Sequence, residues 1–470
     1  MSVAEFVERL NSRSKMYKDG RVLDTRHCIA LRVHPRHATR FETQVSLIVA
    51  ANLLSRMTLN IVFDIPAAPI HEALPWQNKS LAQLIQHEVC LNRPDQNYQF
   101  RPVQPEDYIL NIGPEGGPVN IHSCGWFAFI GASCSSLPQQ DGLNPIGAAL
   151  ASIIAITLLF DITPQPIRRD YIFDSLDWKS DCKDFMKRPY NNFSSVGNLW
   201  FLGLGSVGSS TLYFLSLATQ NFNPTLIDMD QVKVENLDRS PIFRTEHVGL
   251  TKVRTAELFL NSIGVKTVRT ESVPFSQSQA RQNRQIGEPD VFISAANEHD
   301  VRHTIELGMP PIQVYTTTGN EWQTTLLRHI PFVDPCSCCI FPPEAHQSES
   351  VCGGGEIPIK ETGEKIDAAF PFLSFMAGLM TAAEILKLTI SGYPFNHHKI
   401  TFWASHKKKA PRFVSQKRQK RLGCVCQTRH NDIHQRIISG SKYAHLSSPN
   451  PDSNSKVAFS FKSATTSHTF

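Results

Sequence analysis

The chain of 470 residues lacks a hydrophobic run long enough to cross a bilayer. Its longest apolar stretch, Ile146 to Phe160, has 15 residues, whereas a spanning helix needs at least about 18. We interpret this stretch as a buried helix that begins after Asn144 and Pro145. The N-terminus also lacks the basic segment and the apolar core of a signal peptide. We therefore expect a cytoplasmic protein with no membrane partner.

A strong excess of charge of one sign is also missing. The 47 lysines and arginines stand against 42 aspartates and glutamates, which gives a net charge of +5. Basic residues are concentrated at Lys407–Lys409 and Lys417–Arg421. Such a run is typical of a solvated surface loop, and we expect no nucleic-acid partner.

A glycine-rich turn follows the apolar strand predicted at Leu199–Leu202. Gly203, Gly205 and Gly208 lie in this turn, at the start of a predicted helix. Glycines at this spacing let the backbone approach a phosphate, and the helix N-terminus supplies free N–H groups. Asp228 lies 20 residues after Gly208, at the end of a second apolar strand. A carboxylate at that place binds ribose, so the pattern predicts a nucleotide site.

Three polar residues after Asp228 favour a triphosphate over a dinucleotide. Asn236, Arg239 and Lys252 supply three hydrogen-bond donors, two of them cationic, and cationic donors suit clustered phosphates. A nicotinamide oxidoreductase would share the glycine turn and Asp228. It would leave these three donors unexplained.

The order of these residues resembles the adenylation domain of the ubiquitin-activating superfamily, which includes MoeB and ThiF. The motifs that carry the resemblance are Asp228-x-Asp230-x-Val232-x-x-x-Asn236-Leu-x-Arg239 and Gly249-x-x-Lys252, within Leu199 to Cys426. The resemblance implies that ATP binds with its ribose on Asp228. It also implies that Asn236, Arg239 and Lys252 bind the phosphates.

Two positions depart from the family pattern. Ser240 stands where the family usually has glutamine, and Asn297 stands where it has an aspartate that binds Mg²⁺. Asn297 can coordinate Mg²⁺ through its carbonyl oxygen, but it brings no charge. We expect Asp230 or Glu298 to share that role. A nucleotide-binding scaffold that has lost catalysis is the alternative that these two positions leave open.

The second half of the chain alternates strands and helices, which predicts a doubly wound, Rossmann-like α/β domain. Its predicted elements are the strands 199–202, 225–228, 265–269, 291–294 and 312–316 and the helices 206–218, 251–263, 301–307 and 372–390. The first half has a predicted helix at 41–56 and strands near 59–65, 108–112 and 126–130, but no glycine turn. We interpret it as a degenerate, inactive copy of the same fold, as ubiquitin-activating enzymes pair an inactive with an active adenylation domain. An unrelated α+β domain is the alternative.

The predicted boundaries follow from composition. We assign residues 1–165 to the inactive domain, 166–195 to a linker, 196–428 to the active domain, and 429–470 to a largely disordered tail. The crossover loop of the active domain is expected at about 340–370.

Eleven cysteines in a chain without a secretory signal predict metal or thiolate chemistry instead of a disulfide framework. Cys336 and Cys339 form a Cys-x-x-Cys pair, and Cys424 and Cys426 form a tighter Cys-x-Cys pair. Two such pairs suit a tetrahedral Zn²⁺ ion, and in the superfamily they flank the crossover loop and the last helix in this order. A cluster of ordinary buried thiols is the alternative.

Cys352 lies between the two pairs, in the polar, glycine-rich segment Glu349–Glu356. An exposed, unpaired thiol on a flexible loop suits a nucleophile that must reach an acyl-adenylate. The thioester-forming cysteine of the ubiquitin-activating family lies in this segment as well. We therefore predict Cys352 as the acceptor thiol, with His346 as a candidate base.

These residues together predict an activating enzyme that uses ATP, Mg²⁺ and a structural Zn²⁺. It would adenylate the C-terminus of a ubiquitin-like protein, with Arg239 and Lys252 as catalytic cations. It would then form a thioester on Cys352 and pass the carrier to a conjugating enzyme. The layout is similar to compact enzymes of bacterial ubiquitin-like conjugation systems in phage defence, including the Bil type.

A sulfur-carrier adenylyltransferase of the MoeB and ThiF kind remains the alternative, in which Cys352 handles sulfur or has no role. The sequence leaves open whether the chain is a monomer or a homodimer. An arginine of the first half is expected to complete the ATP site, with Arg36 and Arg40 as the candidates.

Overall fold

The computed structural model describes residues 2–15, 28–57, 60–76, 79–86, 92–114, 117–132, 142–161, 169–182, 193, 195–279, 289–296, 305, 311–319, 322–340, 356–358, 365–367, 370–390, 397–404, 410–428 and 438–447. Asn297, Glu298, His346 and Cys352 lie outside the described residues, as does most of the helix predicted at 301–307.

The first half forms one eight-stranded sheet. Its strands are β1 (Ile29–Val33), β2 (Asn60–Asp64), β3 (Asn97–Phe100), β4 (Tyr108–Ile112), β5 (Asn120–Cys124), β6 (Phe127–Gly131), β7 (Tyr171–Asp174) and β8 (Lys179–Ser180). The strand order is β3-β2-β1-β4-β5-β6-β7-β8. The first five strands in this order, β3, β2, β1, β4 and β5, are parallel to one another, and β6, β7 and β8 extend the sheet with antiparallel pairings.

The second half forms a sheet with the same plan. Its strands are β9 (Gly197–Leu202), β10 (Phe222–Ile227), β11 (Arg269–Glu271), β12 (Val291–Ser294), β13 (Gln313–Gly319), β14 (Gln323–His329), β17 (Lys399–Trp403) and β18 (Arg412–Gln416). Strands β15 (Glu356–Pro358) and β16 (Lys365–Asp367) form a separate antiparallel pair. The order β11-β10-β9-β12-β13-β14-β17-β18 repeats the first sheet strand by strand. The pairings change from parallel to antiparallel at the same place, between β13 and β14. The prediction of a second copy of one fold is confirmed.

The helices of the two halves share one core. They are α1 (Val3–Lys15), α2 (Phe41–Met57), α3 (Leu81–Leu84), α4 (Ile146–Asp161), α5 (Ser206–Ala218), α6 (Lys252–Ser262), α7 (Ser337–Ile340), α8 (Pro371–Lys387) and α9 (Val425–Thr428). Helix α8 packs against α5 in its own half and against α2 and α4 of the first half. All residues of α8 are buried, as expected for a helix that is covered by neighbours on every side. In the described part of the chain, no helix is both long and apolar enough to span a membrane.

A buried charge network also joins the halves. Trp178 of the first half donates its Nε1–H to Glu384 Oε1 of α8 at 2.8 Å. Lys387 Nζ lies 2.7 Å from the same carboxylate, and Arg328 Nη1 lies 3.3 Å from it. Arg328 Nε also pairs with Asp334 at 3.0 Å, just before the first cysteine pair. The side chains of Arg328, Glu384 and Lys387 are completely buried.

Three places differ from the sequence-based expectation. Residues 171–180 of the predicted linker form β7 and β8, whose four and two residues are too few to show a periodic pattern. Ser180 Oγ accepts the N–H of Phe413 at 3.2 Å, which connects β8 to β18 of the second sheet. The boundaries between the domains stay a prediction.

The strand predicted at 265–269 begins later, at Arg269. Val265 instead ends helix α6, because its N–H bonds to Leu260 O at 3.0 Å after Gly264, which has a φ of +86°. A glycine with positive φ followed by a buried apolar residue is a common helix end. The apolar character of Val265 therefore serves helix packing.

Part of the predicted tail is packed against the second sheet. Tyr443 is buried, and its hydroxyl donates to Val196 O at 2.8 Å. Lys442 N donates to Asp290 Oδ1 at 2.5 Å. Residues 438–447 thus return to the start of β9, whereas the last twenty residues lie outside the described ones.

Candidate nucleotide site and cysteine cluster

The three predicted glycines have different roles in the turn between β9 and α5. Gly203 has a φ of +90°, and an added Cβ would lie 2.9 Å from Ala296 N. A Cβ on Gly208 would lie 2.1 Å from Gly203 O, so this glycine lets α5 pack against the turn. A Cβ on Gly205 would meet no atom within 4 Å among the described residues. Gly205, the N-cap of α5, therefore borders open space.

Asp228 connects this turn to the loop after β10. Its Oδ2 accepts the N–H of Leu204 at 2.6 Å, and its Oδ1 accepts the N–H of Asp230 at 2.8 Å. Burial raises the pKa of Asp228, and the nearby charge of Lys252 opposes that rise. The carboxylate is thus fixed in orientation beside the glycine turn, where the sequence predicted it.

Lys252 reaches the same place from the first turn of α6. Its Nζ lies 2.6 Å from Asp230 Oδ2 and 3.9 Å from Asp228 Oδ2. The backbone holds the two loops together, because Lys252 N donates to Asp230 O at 2.9 Å and Val232 N donates to Leu250 O at 2.8 Å. Asp228, Asp230 and Lys252, which the sequence singled out, therefore form one cluster at the end of the sheet.

Asn236 and Arg239 lie in the segment that follows. Asn236 ends the 3₁₀ turn Val234–Asn236, and its Oδ1 accepts the N–H of Lys233 at 2.9 Å. Arg239 is buried, with Nη1 3.5 Å from Asp238 Oδ1. Ser240, at the position where the family usually has glutamine, is completely buried.

The four predicted cysteines come together in space. The Sγ atoms of Cys336 and Cys424 lie 3.5 Å apart, those of Cys339 and Cys426 lie 3.5 Å apart, and those of Cys336 and Cys339 lie 3.9 Å apart. Four thiolates about 2.3 Å from one zinc ion would lie roughly 3.8 Å from each other. The cluster is therefore compatible with a zinc knot, although Cys336 and Cys424, which belong to different pairs, are 88 residues apart in the chain.

The pKa values of two thiols in the cluster shift in opposite directions. Hydrogen bonds from Cys336 and then Cys426 hold the pKa of the Cys339 thiol well below its usual range. Burial raises the pKa of the Cys424 thiol. A thiolate among close thiols is the arrangement that a divalent cation stabilises by displacing the remaining protons. Cys338 is a buried neighbour outside this group of four.

Comparison with known proteins identifies the second half. The model of the ThiF family matches residues 191–426. The chain belongs to the ThiF family.

Two relatives of this ThiF-family chain are adenylyltransferases by name. A sulfur carrier protein adenylyltransferase of Thermus thermophilus is 25% identical over 213 residues, which are 43% of this chain and 72% of that protein. An adenylyltransferase and sulfurtransferase UBA4 of Candida albicans is 26% identical over 248 residues, which are 50% of this chain and 52% of that protein. The chain thus spans about half the length of the Candida protein.

Solved structures also align with half of the ThiF-family chain. The crystal structure of E. coli MccB with ATP aligns at 16% identity with a TM-score of 0.38, over 49% of this chain and 66% of that one. A crystal structure of PaaA aligns at 21% identity with a TM-score of 0.36, over 47% of this chain and 72% of that one.

The first half of the ThiF-family chain contacts the loop that carries Asn236 and Arg239. Helix α1 lies against the turn at Val234–Asn236, with Arg9 Nη2 3.4 Å from Glu235 Oε2. Arg56, at the end of α2, donates to backbone carbonyls of the same loop. The sequence offers Arg36 and Arg40 as candidates to complete the ATP site, which stays a prediction. Arg9 and Arg56 gave no signal there, because a basic residue in a helix has many ordinary explanations.

Among the described residues, the first half has a different turn after its first strand. After β1 comes the 3₁₀ turn Pro35–His37, where the second half has its glycines and the start of α5. A cavity of about 490 Å³ lies at this edge, between Arg32, Asp64 and Asn111. Arg32 Nε donates to Asn111 Oδ1 at 2.5 Å. Proline lacks a backbone N–H, and helix α2 follows this turn only at Phe41, without a glycine between them.

Proposed function

We propose that this ThiF-family protein uses ATP to adenylate the C-terminal carboxylate of a small ubiquitin-like protein. The observation that carries the proposal is the cluster of Asp228, Asp230 and Lys252 beside the open space at Gly205. The names of the two relatives support adenylyl transfer, and the name of the Thermus protein includes a sulfur carrier protein.

The side chains have distinct roles in the proposed reaction. Asp228 accepts hydrogen bonds from the ribose, and the N-terminus of α5 at Gly205 receives the phosphates. A carboxylate oxygen of the carrier attacks the α-phosphorus, and the bond from that phosphorus to the pyrophosphate oxygen breaks. Arg239 and Lys252 stabilise the charge that develops on the phosphate oxygens. The products are a carrier acyl-adenylate and pyrophosphate.

Lys252 has to change partner when ATP arrives. Its Nζ lies 2.6 Å from Asp230 Oδ2, and the carboxyl group of Asp230 is 55% exposed. A triphosphate offers a stronger set of acceptors than one exposed carboxylate. Mg²⁺ would supply charge neutralisation on the phosphates, with Asp230 and Asn297 as oxygen ligands.

The second proposed step is a thioester on Cys352. The Cys352 thiolate attacks the acyl carbon of the adenylate, AMP leaves, and a thiol of a conjugating enzyme then takes the acyl group. Cys336, Cys339, Cys424 and Cys426 would hold a structural Zn²⁺ that keeps the ends of the crossover segment in place. The paired layout resembles compact activating enzymes of bacterial phage defence, so we assign the reaction to a cytoplasmic conjugation pathway of that kind.

A sulfur-carrier adenylyltransferase is the second candidate, and the names of both relatives favour it. The adenylate would then meet a sulfur donor, and Cys352 would be dispensable for the first product. The two candidates share adenylation and differ in the acyl acceptor.

The adenylation step is tested by carrier-dependent exchange of labelled pyrophosphate into ATP. Lys252→Ala is expected to lower the exchange rate by about 30- to 1,000-fold, as the loss of one charged donor in a phosphoryl-type transition state does. Arg254→Ala is the matched control, because Arg254 is a cation on the same helix but is 55% exposed and pairs with Glu257. Equal exchange rates in Lys252→Ala and the wild type would refute the proposal.

The acceptor is tested by non-reducing intact mass of the protein with ATP, Mg²⁺ and a ubiquitin-like protein. An adduct of carrier mass that disappears with reductant and with Cys352→Ala supports the thioester. Pyrophosphate exchange without such an adduct supports the sulfur-carrier alternative.

A further inference from the structure

The loop that carries Arg239 is held by a side chain of the other half. Arg56, in the last turn of α2, is 3% exposed. It donates from Nη1 to Leu237 O, and from Nη2 to Pro241 O at 3.1 Å and to Phe243 O at 3.5 Å. One guanidinium thus joins three carbonyls on both sides of Arg239.

Asn52 supports this arrangement from the preceding turn of α2. Its Oδ1 accepts the Nε–H of Arg56 at 2.9 Å, and its Nδ2 donates to Pro241 O at 3.2 Å. The amide fixes the plane of the guanidinium, and the planar fork of arginine then fixes the positions of the carbonyls. The loop therefore has little freedom to shift relative to α2.

A buried cation at this place is costly. Complete burial lowers the pKa of Arg56 to about 9, with Asp238 as the largest opposing charge and Arg244 as a like charge. Among the described residues, no carboxylate lies within ion-pair distance of Arg56. Leucine or methionine would fill a helix interface without that cost. The benefit that offsets it must come from the loop whose carbonyls Arg56 binds.

We propose that Arg56 is a positioning residue of the ATP site: it holds Leu237–Phe243 so that Arg239 faces the nucleotide phosphates. The inactive half then acts on the active half through α2, without touching the ligand. This proposal rests on the proposed function, because it requires that Arg239 binds phosphate.

The test compares direct nucleotide binding with stability. Arg56→Met keeps the length of the side chain and removes every donor, and Arg56→Lys keeps the charge and loses the fork. We expect Arg56→Met to weaken binding of the α,β-methylene analogue of ATP, measured by calorimetry, by about 10- to 100-fold, since the loss of a charged hydrogen bond from a displaced Arg239 to a phosphate has effects of that size. Arg56→Lys should lie between Arg56→Met and the wild type.

The matched control breaks a different contact between the halves. Trp178→Phe removes the hydrogen bond from Trp178 Nε1 to Glu384. It is expected to lower Tm and to leave the affinity for the analogue unchanged. If Trp178→Phe and the Arg56 variants lose affinity in the same proportion to their loss of Tm, Arg56 only stabilises the interface and the proposal is wrong.

A double-mutant cycle decides whether Arg56 acts through Arg239. In an Arg239→Ala background, Arg56→Met or Arg56→Lys should weaken binding further by less than about 2-fold, because the group being positioned is gone. A wild-type protein that does not bind the analogue would refute the ATP site and this inference together. If the wild type binds the analogue and both Arg56 variants bind it with the same affinity, the positioning role alone is refuted.

Discussion

Gly205 and Gly208 lie three positions apart in the sequence, yet the structure predicts that an added methyl group affects different properties at the two positions. A Cβ on Gly208 would lie 2.1 Å from Gly203 O, a backbone atom that cannot rotate away. A Cβ on Gly205 would meet nothing within 4 Å among the described residues. Gly208→Ala should therefore affect folding, and Gly205→Ala should affect the ligand.

The sizes of the two effects follow from these contacts. Overpacking against a rigid backbone costs about 3 kcal/mol, the upper part of the usual range. With about 2–4 °C in Tm for each kcal/mol in a domain of 150–250 residues, Gly208→Ala should lower Tm by about 6–12 °C. Gly205→Ala makes the N-cap of α5 poorer by about 1 kcal/mol or less. Its methyl group would occupy the open space, and the loss of one charged hydrogen bond to a phosphate weakens binding by about 10- to 150-fold.

The assay combines calorimetric binding of an ATP analogue with thermal unfolding of the same preparations. Gly205→Ala should retain nearly all its Tm and lose most of its affinity, whereas Gly208→Ala should lose Tm first. Wild-type affinity in Gly205→Ala would show that this space is not the phosphate site. A larger loss of Tm in Gly205→Ala than in Gly208→Ala would refute the packing argument.

Three further predictions concern other parts of the molecule. Because burial raises the pKa of Asp228, the affinity for ATP should decrease as the pH is lowered, and this decrease should begin at a higher pH than for an exposed aspartate. Asp228→Asn should bind ATP about 10- to 150-fold more weakly and should lose this pH dependence. If the pH dependence persists in Asp228→Asn, the assignment of Asp228 is wrong. The same raised pKa makes the charged form a cost to folding once the pH rises through it, so the Tm of the wild type should fall relative to that of Asp228→Asn as the pH rises through this pKa. Fresh, untagged protein should contain about one zinc per chain by elemental analysis, with less after Cys424→Ser; less than about half an equivalent in the wild type would rule out the zinc knot. Glu384→Gln should cost about 3–5 kcal/mol in urea unfolding, because it leaves Lys387 buried without the carboxylate it pairs with and Arg328 with Asp334 alone. A cost under about 1 kcal/mol would show that the network is not needed for stability.

The parts of the site that the sequence predicts are those set by local geometry. Helix α5 has the predicted bounds, 206–218, because a glycine begins it and Thr219 leaves the helical conformation. Strands β4 and β12 also match their predicted bounds. Asp228 lies directly after β10, because a fixed number of residues separates the first glycine turn from the end of the next parallel strand. These features depend on residues close together in the chain.

The parts that the sequence does not predict depend on distant residues. Arg56 and Leu237 are 181 positions apart, and no periodic pattern connects them. Glu384 and Lys387 look like the polar side of an amphipathic helix, yet both are buried against Trp178, 206 positions before Glu384. The residue type alone does not show whether a cation or a carboxylate is buried or exposed. Only the packing of the two halves distinguishes the two cases.

The charge network around α8 constrains how the sequence of this protein can change over time. Glu384 accepts from Trp178, Lys387 and Arg328 at once, so a replacement of Glu384 alone leaves buried donors of the other three side chains without this acceptor. Acceptable changes must therefore occur together, and an apolar set can replace the whole group more easily than one member of it. Related chains should keep or lose these residues as a set. Since Trp178 comes from one half and the charges come from the other, the two copies of the fold are bound to a common evolutionary history, although only one carries the glycine turn.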